Sequence, residues 1–245
     1  MSRPLCLITG ASAGIGAACA TLAAERGYDL VLTYNSDKAG AQAVAAACEA
    51  LGAAVRIVQA DVADPAAIDT VFAAVDAAGP LDALINNAGI VGTAIRVTDL
   101  THDRLRQMFD VNVIGAMLVA AAAVKRMEPR QKGVIVNITS AAARLGSANQ
   151  YVDYAATKAA MDIFTKGLSD EVAGTGLRVM AVAPGLIETG IHAKGGDPDR
   201  AARLAGNVPM QRTGNASEVA QTVLWLLSDQ ASYVTGSVLN VTGGR

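Results

Sequence analysis

Apolar and polar positions follow a repeating order through the first third of the chain. An alanine-rich amphipathic run ends at a glycine, and a short apolar run follows. The repeats are AACATLAAERG before YDLVLTY, AGAQAVAAACEALG before AAVRIVQA, and AAIDTVFAAVDAAG before PLDALINN. Amphipathic runs of this length predict helices, and the short apolar runs predict strands that are buried on both faces. Gly27, Gly52 and Gly79 stand where a left-handed residue ends a helix.

Helix starts and later strands extend this alternation to the end of the chain. Asp64 precedes Pro65 as a helix N-cap, and Asn215 with Glu218 has the spacing of a capping box. The first strand is predicted in PLCLITG, before the three strands named above. Three further strands are predicted at 133–139, 177–183 and 237–242, and long helices are predicted at roughly 101–127 and 152–173. The pattern predicts an α/β fold with a doubly wound, seven-stranded, mostly parallel sheet and helices on both faces. Residues 1–245 are expected to form a single domain.

One segment breaks the alternation. Residues 188–214, ETGIHAKGGDPDRAARLAGNVPMQRTG, are rich in glycine and proline and lie between the sixth strand and the capping box. Doubly wound sheets bind ligands at the carboxyl ends of their strands, where a long insertion can cover the site. We therefore expect a substrate lid at about 188–214.

Composition and charge narrow the classes of partner. Of the 245 residues, 52% are hydrophobic and 17% are charged, which is typical of a sheet covered on both faces. The net charge of −2 provides no broad basic field, so we expect neither a nucleic acid nor a membrane as partner. The run MSRPLCLITG enters a strand at once and is too short for a secretory or membrane segment, which predicts a cytoplasmic protein. Cys6, Cys19 and Cys48 lack metal-ligand spacing, so we expect reduced thiols, with Cys6 packed in a strand, and no catalytic metal.

A glycine-rich turn follows the first strand. TGASAGIG, residues 9–16, has Gly10, Gly14 and Gly16 between a strand and a helix. Such glycines permit a tight turn and close approach of the backbone, and the helix N-terminus can then face a pyrophosphate. A purely structural turn is the alternative reading of the same residues.

Two tyrosines and a lysine lie together in YVDYAATK, residues 151–158. On a helix, Tyr154 and Lys158 share one face and are one turn apart. Tyr151 lies on nearly the same face, but about two turns and roughly 10 Å from the lysine. An ammonium close to a tyrosine favours its phenolate and lowers the pKa of the phenol. Tyr154, rather than Tyr151, is therefore the candidate for acid/base chemistry, unless these residues merely decorate a helix.

Seven stretches in order carry a resemblance to a known family. They are TGASAGIG (9–16), DV (61–62), NNAG (86–89), VNVIGA with Asn112, VNITSAAA with Ser140, YAATK (154–158) and PGLIET (184–189). On these residues the chain resembles the short-chain dehydrogenase/reductase family over its full length. The resemblance implies a Rossmann-type sheet, a nicotinamide cofactor, and a catalytic set of Asn112, Ser140, Tyr154 and Lys158.

The implied set suits the interconversion of a ketone and a secondary alcohol. Reduction of a carbonyl needs a hydride donor, a proton donor, and groups that hold the oxygen while negative charge develops. By resemblance, Ser140 bonds the substrate oxygen and Tyr154 moves the proton. Lys158 supplies charge and binds the nicotinamide ribose, and Asn112 holds a water near the lysine.

The resemblance also implies the cofactor residues. Those around the pyrophosphate are Gly10, Ser12, Ala13, Gly14, Ile15 and Gly16. Asp61 and Val62 are implied at the adenine, and Asn87, Ala88 and Gly89 near the adenosine ribose. The nicotinamide wall is implied to comprise Pro184, Gly185, Ile187 and Thr189, besides Tyr154 and Lys158.

Cofactor preference depends on the end of the second strand. Tyr34 stands where NAD-preferring relatives place an aspartate that binds the ribose 2′-hydroxyl. Asn35 and Ser36 can donate hydrogen bonds to a 2′-phosphate, and Lys38 adds positive charge. NADP(H) is therefore favoured over NAD(H).

The sequence leaves the small-molecule carbonyl or alcohol substrate open. The residues expected to contact it are Ala142, Arg144, Tyr151, Leu186 and His192. The resemblance is closest to oxoacyl-(acyl-carrier-protein) reductases and to glucose-dehydrogenase-like enzymes. A carrier-protein substrate calls for basic residues near the mouth of the site, and those available are Lys125, Arg126, Arg130 and Lys132. The alternatives are an NAD-dependent sugar or polyol dehydrogenase and, from another class, a catalytically inactive nucleotide-binding scaffold.

Small residues are frequent in the two long predicted helices, in GAMLVAAAAV and YAATKAAMDIF. They permit close helix packing across a two-fold axis and leave apolar surface that a monomer would expose. A homotetramer is therefore expected, as is common in the family.

Overall fold

The computed structural model describes residues 3–190, 196–197 and 199–245. Its strands are β1 (Leu5–Ile8), β2 (Asp29–Tyr34), β3 (Val55–Gln59), β4 (Leu81–Asn86), β5 (Gly133–Ile138), β6 (Leu177–Pro184), β7 (Ile187–Glu188), β8 (Gly214–Asn215) and β9 (Val238–Val241). Seven of them form one sheet in the order β3-β2-β1-β4-β5-β6-β9, and β7 pairs with β8 in a small second sheet. All neighbours in the main sheet are parallel. The predicted α/β sheet is confirmed, and in the described residues it is wholly parallel.

Nine α-helices connect these strands within the described part of the chain. They are α1 (Gly14–Glu25), α2 (Lys38–Ala50), α3 (Pro65–Ala78), α4 (His102–Phe109), α5 (Ala116–Met127), α6 (Ala142–Leu145), α7 (Val152–Val172), α8 (Arg200–Leu204) and α9 (Ala216–Leu227). Short 3₁₀ turns span Val97–Asp99, Glu128–Arg130, Ala173–Thr175, Ala205–Asn207 and Asp229–Ala231. The helix predicted at 101–127 is interrupted by a π-helical stretch, Asp110–Gly115, between α4 and α5. The helix predicted at 152–173 corresponds to α7.

Side chains of β1 alternate between two buried layers, one on each face of the sheet. Cys6 and Ile8 pack in the layer that contains the buried residues of α1 and α9. Leu5 and Leu7 pack in the layer formed with α3 and α5. Successive strand residues point to opposite faces, so an unbroken apolar run such as LCLI fills both layers. Cys6, Cys19 and Cys48 are buried free thiols, and Cys6 lies in a strand as predicted.

The predicted helix ends are confirmed except at one glycine. Asp64 accepts a hydrogen bond from Ala66 N at 2.9 Å, with Pro65 at the first helical position, and Asn215 and Glu218 form the capping box. Gly27 and Gly52 have positive φ values of 87° and 82°. At Gly79, φ is 142° and ψ is −170°, so the chain leaves α3 in an extended conformation. The prediction of a left-handed cap was therefore wrong there.

The helical run His102–Arg130 is long and apolar enough to cross a membrane by length and composition, with a mean hydropathy of 1.7 in its 18-residue window. The core helix of a globular domain passes the same test. Val119, Ala123 and Met127 of this run are buried in the layer against the sheet. Packing against the protein's own sheet thus accounts for the apolar face of α5.

Strand order fixes where a site can form. β1 lies between β2 and β4. From β1 the chain adds β2 and β3 on one side of it, and then adds β4, β5, β6 and β9 on the other side. Helices then lie on opposite faces beyond the carboxyl ends of β1 and β4, which leaves a crevice between them. The glycine-rich turn follows β1, and NNAG begins at the end of β4. Both motifs therefore meet at that crevice.

Candidate active site

A cleft of about 450 Å³ opens at the carboxyl ends of β4, β5 and β6. Sequence-predicted residues from five separate stretches of the chain line it: Ile15, Asn87, Gly89, Ser140, Ala142, Tyr151, Tyr154, Lys158, Pro184, Gly185, Leu186, Ile187 and Thr189. These residues are far apart in sequence. The parallel sheet brings them together because all its strands end at the same edge.

The glycine-rich turn is shaped by contacts that leave no room for side chains. Gly10 and Gly14 have φ values of 65° and 58°. A Cβ placed on Gly16 would lie 2.4 Å from Gly10 O and 2.7 Å from Asn87 Nδ2. Ala13, the N-cap of α1, provides no side-chain hydrogen bond to the first turn of the helix. The amide groups at the start of α1 therefore face the cleft as an anion site that no side chain caps.

Asn87 and Thr9 join the ends of β1 and β4. The Asn87 side-chain amide donates to Thr9 O and Gly10 O, both at 3.0 Å. The Thr9 hydroxyl accepts hydrogen bonds from the main-chain N atoms of Asn87 and Ala88, each at 2.9 Å. A Cβ on Gly10 would lie only 2.9 Å from Ala88 Cα. The two motifs thus form one packed unit, and sequence reasoning had missed Thr9 as its centre.

The segment after β6 faces this unit across the cleft. A Cβ on Gly14 would lie 3.4 Å from Thr189 Cγ2, and one on Gly185 would lie 2.8 Å from Thr242 Cα. Gly185 N donates to Val241 O at 2.9 Å, and Ile187 pairs with Gly214. The predicted wall of Pro184, Gly185, Ile187 and Thr189 therefore lies opposite the glycine-rich turn.

The residues predicted around the adenosine lie at the ends of β2 and β3. Tyr34 is buried, while Asn35 and Ser36 are exposed beyond it. Asp61 is exposed and accepts from Ala63 N at 3.0 Å, and Val62 is buried beside it.

Asp37 is a charged neighbour that sequence reasoning had missed. It is the N-cap of α2, and its carboxylate accepts a hydrogen bond from Gly40 N at 2.9 Å. A Cβ on Gly40 would lie 2.6 Å from Ser12 O. The start of α2 therefore packs against the glycine-rich turn.

Ser140, Tyr154 and Lys158 meet at the centre of the cleft. The hydroxyls of Ser140 and Tyr154 are hydrogen-bonded to each other. Lys158 Nζ lies 5.7 Å from the centre of the Tyr154 ring and donates to Ile138 O at 3.0 Å. The lysine is only 5% exposed, so its ammonium group is buried beside the Tyr154 ring.

Burial controls the protonation of Tyr154 and Lys158. It raises the pKa of Tyr154 to about 12, although the Ser140 hydrogen bond acts in the opposite direction. It lowers the pKa of Lys158 to about 8, while the charge of Asp162, one turn further along α7, raises it. The Tyr154 pKa is therefore raised, and the expectation of a lowered pKa is wrong for the protein alone, because desolvation of the phenolate dominates. Burial raises the pKa of Asp162, a residue that had no signal in the sequence.

Asn112 lies inside the π-helical stretch and is buried. Its side chain accepts from Ile90 N at 2.8 Å and donates to Ile90 O at 2.9 Å and to Thr157 Oγ1 at 3.2 Å. A Cβ on Gly89 would lie 3.1 Å from Asn112 Oδ1 and 3.4 Å from Lys158 Nζ. Asn112 and Lys158 therefore approach the same glycine, and the asparagine side chain holds the chain after β4 in place.

The predicted substrate residues divide into three groups. Ala142, Tyr151 and Leu186 line the cleft, and the Tyr151 and Tyr154 rings meet edge to face at 5.9 Å. Arg144 lines an adjoining cavity and donates to Arg245 O at 2.8 Å. His192 lies outside the described residues. Cleft-lining residues that the sequence did not suggest include Val91, Ala94, Leu145, Gln150, Asp197, Arg203 and Arg245.

The basic residues considered for a carrier protein lie at the opposite edge of the sheet. They come from the last turn of α5 and from the segment before β5, at the amino ends of the strands. Arg126 pairs with Asp76 at 2.7 Å, and Arg130 and Lys132 pair with Asp82 at 2.9 and 3.1 Å. Among the described residues, no group of three or more His, Cys, Asp and Glu side chains could hold a metal ion.

Comparison with known proteins adds to this geometry. Residues 10–245 match the family model described as Enoyl-(Acyl carrier protein) reductase. The chain is 46% identical to the uncharacterized oxidoreductase YgfF of Escherichia coli K12, over 98% of this chain and 99% of that protein. It is 38% identical to the 3-oxoacyl-[acyl-carrier-protein] reductase FabG of the same organism, over 98% and 96%.

A solved structure has the same fold and a related sequence. The short-chain dehydrogenase from Burkholderia cenocepacia J2315 in complex with NADP superposes with a TM-score of 0.90 at 34% identity, over 99% of this chain and 97% of that one. The chain therefore belongs to the short-chain dehydrogenase/reductase family and is an oxidoreductase that acts on CH–OH or carbonyl groups.

Proposed function

We propose that the protein is an NADP(H)-dependent oxidoreductase that interconverts a ketone and a secondary alcohol, with Tyr154 as acid/base. The observation that carries the proposal is the hydrogen-bonded Ser140–Tyr154 pair in the cleft, with Lys158 buried beneath the tyrosine ring. This pair faces the same cavity as the glycine-rich turn. A substrate oxygen and a dinucleotide can thus meet in one place.

The residues present fit a dinucleotide. The uncapped start of α1 offers main-chain N–H groups to phosphate, and Gly10, Gly14 and Gly16 keep side chains away from that approach. Residues 61–62 and 87–89 would border the adenosine, and residues 184–189 the nicotinamide. When bound, the cofactor supplies or accepts the hydride.

The chain's own residues would handle the substrate oxygen and its proton. Ser140 would donate a hydrogen bond to the carbonyl oxygen and hold it as negative charge develops. Tyr154, with a pKa raised by burial, carries its proton at neutral pH and can donate it during reduction. Lys158 would stabilise the phenolate that remains. Asn112 would keep the chain after β4 in register with α7 through its bonds to Ile90 and Thr157.

NADP(H) is proposed over NAD(H) on the residues at the end of β2. Tyr34 brings no carboxylate to the position that would meet a ribose 2′-substituent, and the exposed Asn35 and Ser36 can bond a phosphate. Lys38 begins α2 directly beyond them. Asp37, the carboxylate nearest in sequence, caps α2 through Gly40 N. A related short-chain dehydrogenase is known in complex with NADP.

The substrate is proposed to be a small-molecule carbonyl or alcohol compound. FabG, a relative, is named for a carrier-protein substrate. The four cations considered for such a carrier in the sequence are at the far edge of the sheet, and three of them are paired with carboxylates. Basic residues that line the cleft itself include Arg203 and Arg245. An NAD-dependent sugar or polyol dehydrogenase is the alternative with the same catalytic residues. The inactive scaffold is disfavoured, since Asn112, Ser140, Tyr154 and Lys158 are all present.

The assembly is proposed to be a cytoplasmic homotetramer of single-domain subunits that interacts with neither nucleic acid nor membrane. Large apolar side chains are exposed on the two long helices, with Ile114 44%, Leu118 40% and Ile163 72% exposed. A second copy of the chain packed against these helices would cover them. Residues 188–214 are proposed to act as the lid of each subunit, and residues 191–195 and 198 of this segment lie outside the described residues.

The test is a panel of ketones and alcohols assayed with NADPH and NADH, in both directions. We expect hydride transfer with at least one small ketone and a higher kcat/KM for NADPH than for NADH. A higher kcat/KM for NADH would favour the sugar or polyol dehydrogenase. Absence of turnover, together with cofactor binding in a fluorescence titration, would favour the scaffold.

A further inference from the structure

Helix α7 carries Tyr154 in its first turn, yet that turn has no side-chain cap. Tyr151 is the N-cap residue, with φ −151° and ψ 69°, and it makes no capping hydrogen bond. The first amide groups of a helix have no partner within the helix, so an uncapped start frays easily. Contacts from elsewhere in the protein must therefore hold the turn that aims Tyr154 into the cleft.

A buried ion pair provides such a contact. Asp153, directly before Tyr154, has a fully buried side chain, and Arg104 of α4 is 17% exposed. Arg104 Nε donates to Asp153 Oδ2 at 2.6 Å, and Arg104 Nη2 donates to Asp153 Oδ1 at 3.5 Å. The planar guanidinium thus addresses both oxygens and fixes the direction of the carboxylate as well as its distance.

Arg104 is itself fixed from two sides. Its main-chain N donates to Thr101 Oγ1 at 3.3 Å, in the N-terminal turn of α4. A Cβ on Gly92 would lie 2.7 Å from three atoms of the guanidinium, so the chain at Gly92 lies directly against the charged group. The absence of a side chain at Gly92 permits this approach. Arg104 therefore joins α4, α7 and the loop after β4.

That loop also forms part of the cleft. Val91 and Ala94, on either side of Gly92, line the cavity together with Gln150 and Tyr151. Ile95 N donates to Gln150 O at 2.8 Å, a second link between the loop and the start of α7. The ion pair and this hydrogen bond hold the substrate side of the cleft at two neighbouring points.

We propose that Arg104 and Asp153 are positioning residues: their buried ion pair holds the first turn of α7 and thereby aims Tyr154 at the substrate oxygen. Neither side chain lines the cleft, so the pair acts through Tyr154 and not on the substrate. The kinetic part of this inference rests on the proposed function, whereas the structural part does not.

The variants for the test change charge and reach separately in the full-length protein. Asp153→Asn keeps the size of the side chain and removes its charge. Arg104→Lys keeps the charge and loses the planar fork. In the double variant Arg104→Lys/Asp153→Glu, the carboxylate side is one methylene longer and the cation side is shorter, which restores the span of the pair. The matched control is Asp170→Asn, also on α7, where the carboxylate is exposed and pairs with Lys166.

Kinetics are measured with the best substrate of the panel, and amide hydrogen exchange with the same proteins. Each single variant should lose roughly 10-fold in kcat, as expected for a misaligned catalytic group, with the KM for NADPH within about twofold of the parent. Amides 152–156 should exchange faster in both. The double variant should recover most of kcat, and Asp170→Asn should match the parent.

A drop in Tm with unchanged kcat in both single variants would show a purely structural pair and overturn the inference. If Asp153→Asn does not fold, the positioning role is tested with Arg104→Lys alone, because that variant leaves no buried charge unpaired. If no substrate of the panel is turned over, the proposed function fails, but the hydrogen-exchange measurement still tests whether the ion pair holds the first turn of α7. Equal protection of amides 152–156 in parent and variants would then overturn the positioning role.

Discussion

Two walls of the same cleft are constructed differently. The glycine wall consists of residues 9–16 and 86–89, and the helix wall consists of residues 90–95 and 147–158. In the glycine wall, short side chains bond main-chain atoms of two adjacent motifs, as Asn87 does with Thr9 O and Gly10 O at 3.0 Å. In the helix wall, a charged side chain 49 residues away, Arg104, holds Asp153.

The two constructions differ in what they demand of the sequence. At Gly16, any Cβ would collide with a backbone oxygen 2.4 Å away, so only glycine fits this position. The requirement for glycine is visible in the sequence as part of a motif. At Asp153, a carboxylate is useful only because α4 brings Arg104 opposite it. The glycine wall can therefore be recognised by spacing alone, and the helix wall requires the packed structure.

Tyr154→Phe tests the helix wall most severely. The variant keeps the ring and removes the transferable proton, so kcat should fall roughly 100-fold or more while the NADPH Kd stays within about twofold. Steady-state kinetics and a fluorescence titration measure the two quantities. Tyr151→Phe is the control, since its ring touches Tyr154 edge to face, and it should change KM more than kcat. Equal losses of kcat in both variants would reverse the roles of the two tyrosines.

Gly16→Ala tests the glycine wall with a smaller expected effect. The added methyl group must displace Gly10 O or Asn87 Nδ2, both within 2.7 Å of its position, and so disturb the anion site at α1. We expect the NADPH Kd to weaken roughly 10-fold, about 1.4 kcal/mol, and Tm to fall. Gly167→Ala in α7 is the control, because a Cβ there meets nothing within 4 Å and alanine favours the helix. An unchanged Kd in Gly16→Ala would show that this wall does not hold the cofactor.

Lys158 lies where the walls meet, and its titration gives the smallest expected effect. Burial lowers its pKa from the usual 10.5 to about 8, so between these pH values the unfolded chain binds a proton that the folded chain does not. Stability must then rise with pH in that window. The free energy of unfolding of the parent relative to Lys158→Met should rise by about 1 kcal/mol from pH 8 to pH 9.

Tyr154, with its pKa raised to about 12, acts in the opposite direction only above pH 10. Denaturant unfolding of the cofactor-free proteins measures this, and a pH-independent difference would contradict the burial of a charged lysine.

Local rules determined much of this protein. Period and length placed all seven strands of the main sheet, and the caps at Asp64 and Asn215 follow from residue types at fixed spacing. The spacing of Tyr154 and Lys158 put them on one helix face, which the structure retains. Such features could be predicted because each depends on residues within a few positions of one another.

The tertiary structure alone decided what surrounds those residues. It raised the Tyr154 pKa where the neighbouring lysine suggested a fall, because desolvation depends on all the chain that covers the ring. In the tertiary structure, Arg144 donates a hydrogen bond to Arg245 O in the adjoining cavity, and Arg126 forms an ion pair with Asp76 far from the cleft. Side-chain direction, burial and ion pairing are set by partners distant in sequence, so no local pattern records them. The sequence motifs therefore identified the residues of the site, whereas tertiary packing determined the protonation of Tyr154 and Lys158 and the alignment of their side chains.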